Sequence, residues 1–394
     1  MRTALPPGVS DMGLRIRVYA RRMTEQHEGW DAEWDPQGFR DDIESTLQAF
    51  VHTQAEWLDG LGPDAQRLVE HARTSIRGGK RFRATFCWWG HHAVAELGDP
   101  LGQAAAGPVD SVALLRACAA LELLHASALV HDDYMDASDV RRGRPATHRA
   151  FERVHREHGW PANPEQYGAS AAILLGDLLL SWSDELLRTC GLPAERVLEA
   201  LGYFDLTRSE VVAGQFLDVS AQARGAADVD TAMTVLRYKS AKYSIERPLH
   251  IGAALAGATA GQITQLSRFG LPLGEAFQLR DDLLGVFGDP AVTGKPAGDD
   301  LVEGKRTVLV SLALDALPGP EAKTLDTALG TALDPDQVAT LCRLIEESGA
   351  RQQVEGVISE LTDRSLSALA AAAISDRARG VLEGLAGQVT QRAV

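Results

Sequence analysis

The run Val112-Ala113-Leu114-Leu115-Arg116-Ala117-Cys118-Ala119-Ala120-Leu121-Glu122-Leu123-Leu124-His125-Ala126-Ser127-Ala128-Leu129-Val130 is broken in its apolar character only at Arg116, Glu122, His125 and Ser127. A helix that is apolar all round belongs at the centre of a bundle, so this run predicts a core helix. It leads straight into His131-Asp132-Asp133-Tyr134-Met135-Asp136. The stretch 168–180 reads the same way and predicts a second central helix. Outward from these two, apolar residues recur at helical spacing from Phe39 onward, as in Ile43, Leu47, Phe50 and Val51. Further Ala/Leu-rich stretches cover 194–220, 230–257, 261–287 and 306–317, with shorter ones to 390. Breakers separate them at 143–145, 161–164, 225–228, 289–298 and 318–320. Alternating β-branched runs are missing, and no shift in composition marks a linker. The expected fold class is all-α. One large helical domain over residues 39–394 would follow an arm over residues 1–38.

Length alone would allow two or three domains in 394 residues. The charge balance is 39 basic against 54 acidic side chains, net −15. Such a chain has no overall field for nucleic acid or anionic lipid, so an anion it binds needs a local basic cluster. The first residues lack the apolar core of a signal peptide. No stretch reads as the roughly 20 apolar residues that span a bilayer, so no stable membrane insertion is expected. Cys87, Cys118, Cys190 and Cys342 are far apart, with no CxxC pair. A soluble protein of the reducing cytoplasm is expected.

Asp132 and Asp136 are four apart and share a helical face, with Asp133 about 100° away. The ordinary reading of such spacing is a solvated face. Two carboxylates ~6 Å apart repel by about 0.7 kcal/mol in water but roughly 3 kcal/mol at an effective dielectric near 20. The apolar lead-in of Leu123, Leu124, Ala128, Leu129 and Val130 puts the cluster at a cavity mouth, where the larger value holds. A hard cation such as Mg²⁺, sharing its shell with phosphate oxygens, would relieve it. A second pair, Asp281-Asp282, follows Phe277-Gln278-Leu279-Arg280 at another apolar helix end. Two acidic helix ends facing each other would clamp a diphosphate through Mg²⁺. Basic residues gather beside breakers: Gly78-Gly79-Lys80-Arg81-Phe82-Arg83, Arg141-Arg142-Gly143-Arg144-Pro145, the pair Lys239 and Lys242, and Lys295. Their forks and point charges suit phosphate oxygens.

Together these segments resemble the trans-isoprenyl diphosphate synthases, prenyltransferases of the class I isoprenoid synthase fold, from about Phe39 to about Thr307. Besides the motifs above, Leu124-His125, His148, Gly176-Asp177, Gly214-Gln215-x-x-Asp218, Lys239-Ser240 and Gly294-Lys295 carry the likeness. The resemblance implies helices around a central cavity and an enzyme that condenses isopentenyl diphosphate with an allylic diphosphate. It implies a cluster of three Mg²⁺ ions held by Asp132, Asp136 and Asp281, with Asp133 and Asp282 ligating or supporting. Arg141, Lys239 and Lys295 would contact the allylic diphosphate. Lys80, Arg83, His125 and Arg142 would contact that of isopentenyl diphosphate. Gln278 and the carbonyl at Lys239 would lie near the allylic cation, with Ser240 where Thr is usual. A homodimer is implied.

Two departures bear on the expected product and metal site. Gly285 stands where a third Asp of the second motif is common, with Asp289 as a substitute from the helix end. The resemblance implies that the positions four and five residues before Asp132 set product length by bulk; here they are the small Ala128 and Ser127, so C20 or longer is expected, with a floor near Leu123 and Leu124.

Rival readings are weaker. A class I terpene cyclase needs an Asn-x-x-x-Ser-x-x-x-Glu motif, but the chain's only Asn is Asn163 and position 167 is Tyr. A non-catalytic subunit of a heteromeric synthase tends to lose an acidic motif, and both are present. A di-iron carboxylate bundle would use Glu122-x-x-His125 and Glu152-x-x-His155. A metal phosphohydrolase built on His131-Asp132 lacks identifiable further ligands.

Overall fold

The computed structural model describes residues 34–97, 110–226, 228–288 and 297–391. Sixteen α-helices, one short 3₁₀ helix (Asp59–Leu61), one π-helical stretch and a two-stranded hairpin make up the regular structure of those residues. In chain order they are α1 (Pro36–Leu58), α2 (Pro63–Ser75), α3 (Phe82–Ala95), α4 (Ser111–Met135), β1 (Val140–Arg141), β2 (Arg144–Pro145), α5 (Thr147–Glu157), α6 (Pro164–Arg188) and α7 (Ala194–Arg224). There follow α8 (Val229–Val235), the π stretch Leu236–Glu246, α9 (Arg247–Leu255), α10 (Ala260–Phe287), α11 (Asp299–Val302), α12 (Val308–Ala316), α13 (Gly319–Ala328), α14 (Pro335–Glu347), α15 (Ala350–Ala370) and α16 (Asp376–Thr390).

The all-α expectation holds. Helix starts follow local chemistry: Asp110 accepts from the Ala113 amide, Asn163 from Glu165 and Gln166, and Thr259 forms a capping box with Gln262. The expected arm over 1–38 falls outside the described residues as far as 33. From there on the chain is already structured, since α1 starts at Pro36 and Trp34 packs on Phe39 and Trp89, at 5.2 and 5.1 Å between ring centroids.

The core helix α4 is buried along most of its length and packs chiefly on α6. It corrects one expectation. Its 25 residues have the length and apolar composition to cross a membrane, with mean hydropathy 1.6 over the best window. That window is 78% buried inside the protein, so the apolar character is spent on the bundle core. The second stretch, 168–180, is not apolar-buried all round. Its inner face is core, but Ile173 and Leu174 on α6 are exposed.

The expected helix over 230–257 is three segments. Between α8 and α9 the chain runs as a π-helix through Lys239, Ser240, Lys242 and Tyr243. Gly214 on α7 lies against this stretch so closely that a Cβ would stand 2.3 Å from the Lys239 amide nitrogen. Gly176 on α6 does the same service for α4, where a Cβ would meet the His131 ring at 2.2 Å. Long π stretches are rare and favour functional sites. This one forms a wall of the cavity described next.

Candidate active site

A cavity of about 1270 Å³ opens at the ends of α4 and α10 and is lined by α3, α4, α6, α7, the π stretch, α10 and the segment 300–307. Residues expected from five separate parts of the sequence meet in it: Lys80, Arg83, His125, Asp132, Arg141, Arg142, Lys239, Ser240, Gln278, Asp281 and Asp282. Ser127 and Ala128 line its apolar part.

The acidic end is built from both Asp motifs. Asp132 accepts hydrogen bonds from Gln215 Nε2 at 2.9 Å and Lys239 Nζ at 3.1 Å, and Lys239 also donates to Asp218 at 2.6 Å. The Gly-Gln-x-x-Asp motif thus has three jobs: close approach, a bond to Asp132, and a counter-charge for Lys239. Burial opposes ionisation of Asp132, but Lys239, Lys305 and Arg141 outweigh it and hold its pKa down to about 2. Asp136 goes the other way. Burial and the charge of Asp132 push it up to about 6, and its Oδ1 is buried without a hydrogen-bond partner. Asp282 is pushed up to about 8 by burial and by Asp300 beside it. Lys239 is held above its usual range because the aspartates outweigh the cost of its burial.

Asp133 does not line the cavity. It is buried and accepts from Arg141 Nε at 2.7 Å and from Nη2, so it orients that arginine instead of facing a metal. Lys242 also departs from expectation. It pairs with Glu210 on α7, which Arg247 grips with two further bonds. Three residues along a π stretch do not return to the same face as they would on an α-helix. Lys295, Gly294 and Asp289 lie outside the described residues.

Three contributors escaped sequence reasoning. Asp300 fills the room above Gly285, where a Cβ would meet its Oδ2 at 2.0 Å. The missing third aspartate of the motif is thus offset by a carboxylate from α11. Lys305 stands between the two acidic groups, 3.6 Å from Asp136 and 3.4 Å from Asp300, with Glu303 on its other side. Tyr243 donates or accepts at 2.9 Å with His125 Nδ1, and burial pushes its phenol up to about 12. The only sequence signal for these was the absent side chain at 285.

The basic end collects Lys80, Arg83, His125 and Arg142. Arg83 donates to Ser244 Oγ at 2.7 Å and stacks on the Tyr243 ring, 4.2 Å from its centroid. Arg142 donates to the carbonyls of Arg77 and Gly78, at 2.7 and 3.3 Å. Burial, then the charges of Arg83 and Arg142, hold His125 well below the usual imidazole range, so it is a neutral hydrogen-bonding group at pH 7.

Among the described residues no three His, Cys, Asp or Glu side chains converge closely enough to enclose an ion by themselves. That suits Mg²⁺, which takes one or two carboxylates and completes its octahedron with water and phosphate oxygens. The candidate ligands of a di-iron cage have other partners. Glu122 is committed to Arg81 and the Ala84 amide, Glu152 to Arg149, and His125 to Tyr243. His131 is also committed, to the Ile173 carbonyl at 3.2 Å.

The comparisons with known proteins agree with this geometry. The family model for polyprenyl synthetase matches residues 65–345. A geranylfarnesyl diphosphate synthase of Natronomonas pharaonis is 34% identical over 255 residues, 64% of this chain and 70% of that one. A geranylgeranyl diphosphate synthase of Mycobacterium tuberculosis is 33% identical over 297 residues, 72% of this chain and 75% of that one. The crystal structure of geranylgeranyl pyrophosphate synthase from Corynebacterium glutamicum, complexed with isoprenyl diphosphate and magnesium, superposes with a TM-score of 0.86 at 38% identity, covering 91% of this chain and 100% of that one. This chain is a member of the polyprenyl synthetase family.

Proposed function

We propose that this prenyltransferase joins isopentenyl diphosphate to an allylic diphosphate and releases an all-trans product of C20 or longer. The observation that carries the reading is one cavity with a carboxylate–lysine end, a guanidinium-rich end and an apolar interior between helices. Asp132, Asp136, Asp281 and Asp282 would hold Mg²⁺, three ions in our reading, and the buried unpartnered Oδ1 of Asp136 fits such a role. Bound there, Mg²⁺ supplies Lewis-acid neutralisation of the departing diphosphate.

The protein's own groups do the rest. Arg141, Lys239 and Lys305 stabilise the charge that grows on the leaving oxygen, and preorganised cations do this without rearrangement. Lys295 is assigned to the same diphosphate. Gln278 donates from its amide nitrogen to Asp282 at 2.8 Å, which leaves its carbonyl oxygen for the allylic cation. Lys80, Arg83, His125 and Arg142 orient isopentenyl diphosphate so that its double bond attacks the cation. The proton lost from the adduct goes to the released diphosphate, so no protein base is needed. Apolar walls exclude the water that would quench the cation.

Ser127 and Ala128 leave the cavity open beyond the reacting carbons. Ser127 donates to the Gly176 carbonyl at 2.7 Å, so its hydroxyl is satisfied and its small volume is what counts. We assign the homodimer contact to the exposed apolar side chains of α6 and α7, Leu174, Leu198, Val212 and Phe216, which are 60–72% exposed and of which Val212 and Phe216 also border the cavity. The four cysteines are free, which suits a reducing cytoplasm, where we place the enzyme.

The test is direct. Purified protein with Mg²⁺ and isopentenyl diphosphate is given dimethylallyl, geranyl, farnesyl or geranylgeranyl diphosphate, and products are identified by mass spectrometry. Elongation to C20 or beyond is expected. No elongation from any primer would refute the reading.

A further inference from the structure

Arg81 borders the cavity beside the proposed substrate-binding groups, yet its side chain is spent on buried partners inside the protein. It is a non-glycine residue in the left-handed region, φ 55°, and its side chain is only 4% exposed. Left-handed backbone is unfavourable for a residue with a Cβ and persists only where the surroundings impose it. The surroundings here are a buried ionic node. Arg81 Nη1 donates to Glu122 Oε2 at 3.2 Å, and Nη2 donates to the Ile76 carbonyl at 2.5 Å and to Glu44 Oε2. Glu122 Oε1 in turn accepts from the Ala84 amide at 3.2 Å, and Glu44 Oε2 from the Gly78 amide at 3.2 Å. The Arg81 carbonyl caps its own helix, accepting from the Thr85 amide and hydroxyl at 2.9 and 2.8 Å.

Each group of the basic end is referenced to this node. Lys80 is its chain neighbour, and Arg83 lies in the first turn of α3 that Arg81 and Glu122 cap. His125 stands three residues beyond Glu122 on α4. Arg142, also left-handed at φ 52°, docks on the carbonyls of Arg77 and Gly78 in the loop that Glu44 ties down. Gly79, at φ 99°, has a backbone conformation that side chains rarely adopt, and a Cβ there would displace the Arg142 fork, 2.9 Å away.

We propose that Arg81 is a positioning residue for isopentenyl diphosphate: its buried fork on Glu44 and Glu122 locks the 78–83 loop so that Lys80, Arg83, His125 and Arg142 converge on one diphosphate. The assignment of that substrate rests on the function proposed above. A guanidinium serves three acceptors in fixed directions, and an ammonium cannot.

The test compares wild type with Arg81→Lys and with Arg81→Met/Glu122→Gln. The double substitution avoids leaving Glu122 charged and unpaired in the interior. Circular dichroism and thermal melting establish folding. KM for isopentenyl diphosphate should rise about tenfold or more in the double variant, while KM for the allylic substrate and kcat at saturation stay within about threefold. Arg81→Lys should fall between the two. Calorimetric titration with inorganic pyrophosphate, without divalent ions, should show the same loss of affinity. A folded double variant with unchanged KM for isopentenyl diphosphate overturns the proposal. So does a uniform loss in both KM values and kcat, which marks a purely structural role. If the double variant does not fold, Arg81→Lys alone decides, an unchanged KM counting against the proposal. If wild type elongates nothing, the functional reading fails, and the pyrophosphate titration still judges Arg81.

Discussion

At one end of the cavity Lys80, Arg83, His125 and Arg142 gather over a loop tied to two buried glutamates. At the other, Asp132, Asp281, Asp282 and Asp300 line the cavity with Lys239 and Lys305, and Asp136, which does not line it, lies 3.6 Å from Lys305. The basic end is arranged as a receptor: Arg83 and Arg142 are braced by hydrogen bonds, and Lys80 and a neutral His125 stand beside them. The acidic end is a frustrated cluster, with one carboxyl held at about 2, another pushed to about 6 and a third to about 8. Carboxylates so divided call for more positive charge than two lysines bring. On the proposed function, two ends of one pocket would recognise the same chemical group by opposite means, one directly and the other through Mg²⁺.

The largest expected effect comes from the acidic end. Asp132→Ala removes the acceptor shared by Gln215 and Lys239, and turnover should fall by about 10³-fold or more while circular dichroism stays helical. Retained turnover would show that the acidic end does not work through that carboxylate. Next comes the basic end. Lys80→Ala should raise KM for isopentenyl diphosphate by about tenfold or more and leave the allylic KM within a factor of about three, read from initial rates with each substrate varied. Equal changes in both would erase the division between the ends.

A third, smaller change concerns the apolar region between them. Ser127→Phe adds an aromatic ring where a hydroxyl now bonds Gly176, and the main product should shorten by about one or two C5 units. An unaltered product distribution by mass spectrometry would move the length-setting wall elsewhere.

The smallest effect lies outside both ends and guards against misreading acid inactivation as titration of the cavity. Burial pushes His91 and His250 down to about 3, aided by His92 and by Arg247 respectively. Their folded pKa is below the unfolded value of 6.5, so the stability they support is complete above pH 6.5 and is lost as pH falls toward 3. Each should cost about 1 kcal/mol per pH unit below 6.5. Melting temperature should therefore drop between pH 6.5 and 5, and a flat profile would refute the assignment.

Much of this was legible in the amino-acid order because the main recognition groups come in short motifs at helix ends. Asp132 and Asp136 share a face by spacing alone, and Lys80 with Arg83 sits beside a glycine pair. What spacing missed has definite causes. Lys239 and Lys242 looked equivalent on an α-helix, but the π stretch turns Lys242 toward Glu210. Asp300 and Lys305 sit in a short segment packed against α10, and no periodicity points to them. Gly285 looked like a lost ligand, whereas its missing side chain makes room for Asp300. The exposed apolar face of α6 misled in the other direction, because apolar sequence does not say whether a neighbour from the same chain covers it.

The division between the two ends is tested most directly by calorimetric titration of wild-type protein with isopentenyl diphosphate and, separately, with a non-ionisable thio analogue of an allylic diphosphate, each with Mg²⁺ and with chelator. Isopentenyl diphosphate should bind with nearly the same affinity in both conditions, and the allylic analogue only with Mg²⁺. Equal dependence of the two ligands on Mg²⁺, or binding of the analogue without it, would contradict the assignment of one metal-free and one metal-dependent diphosphate site.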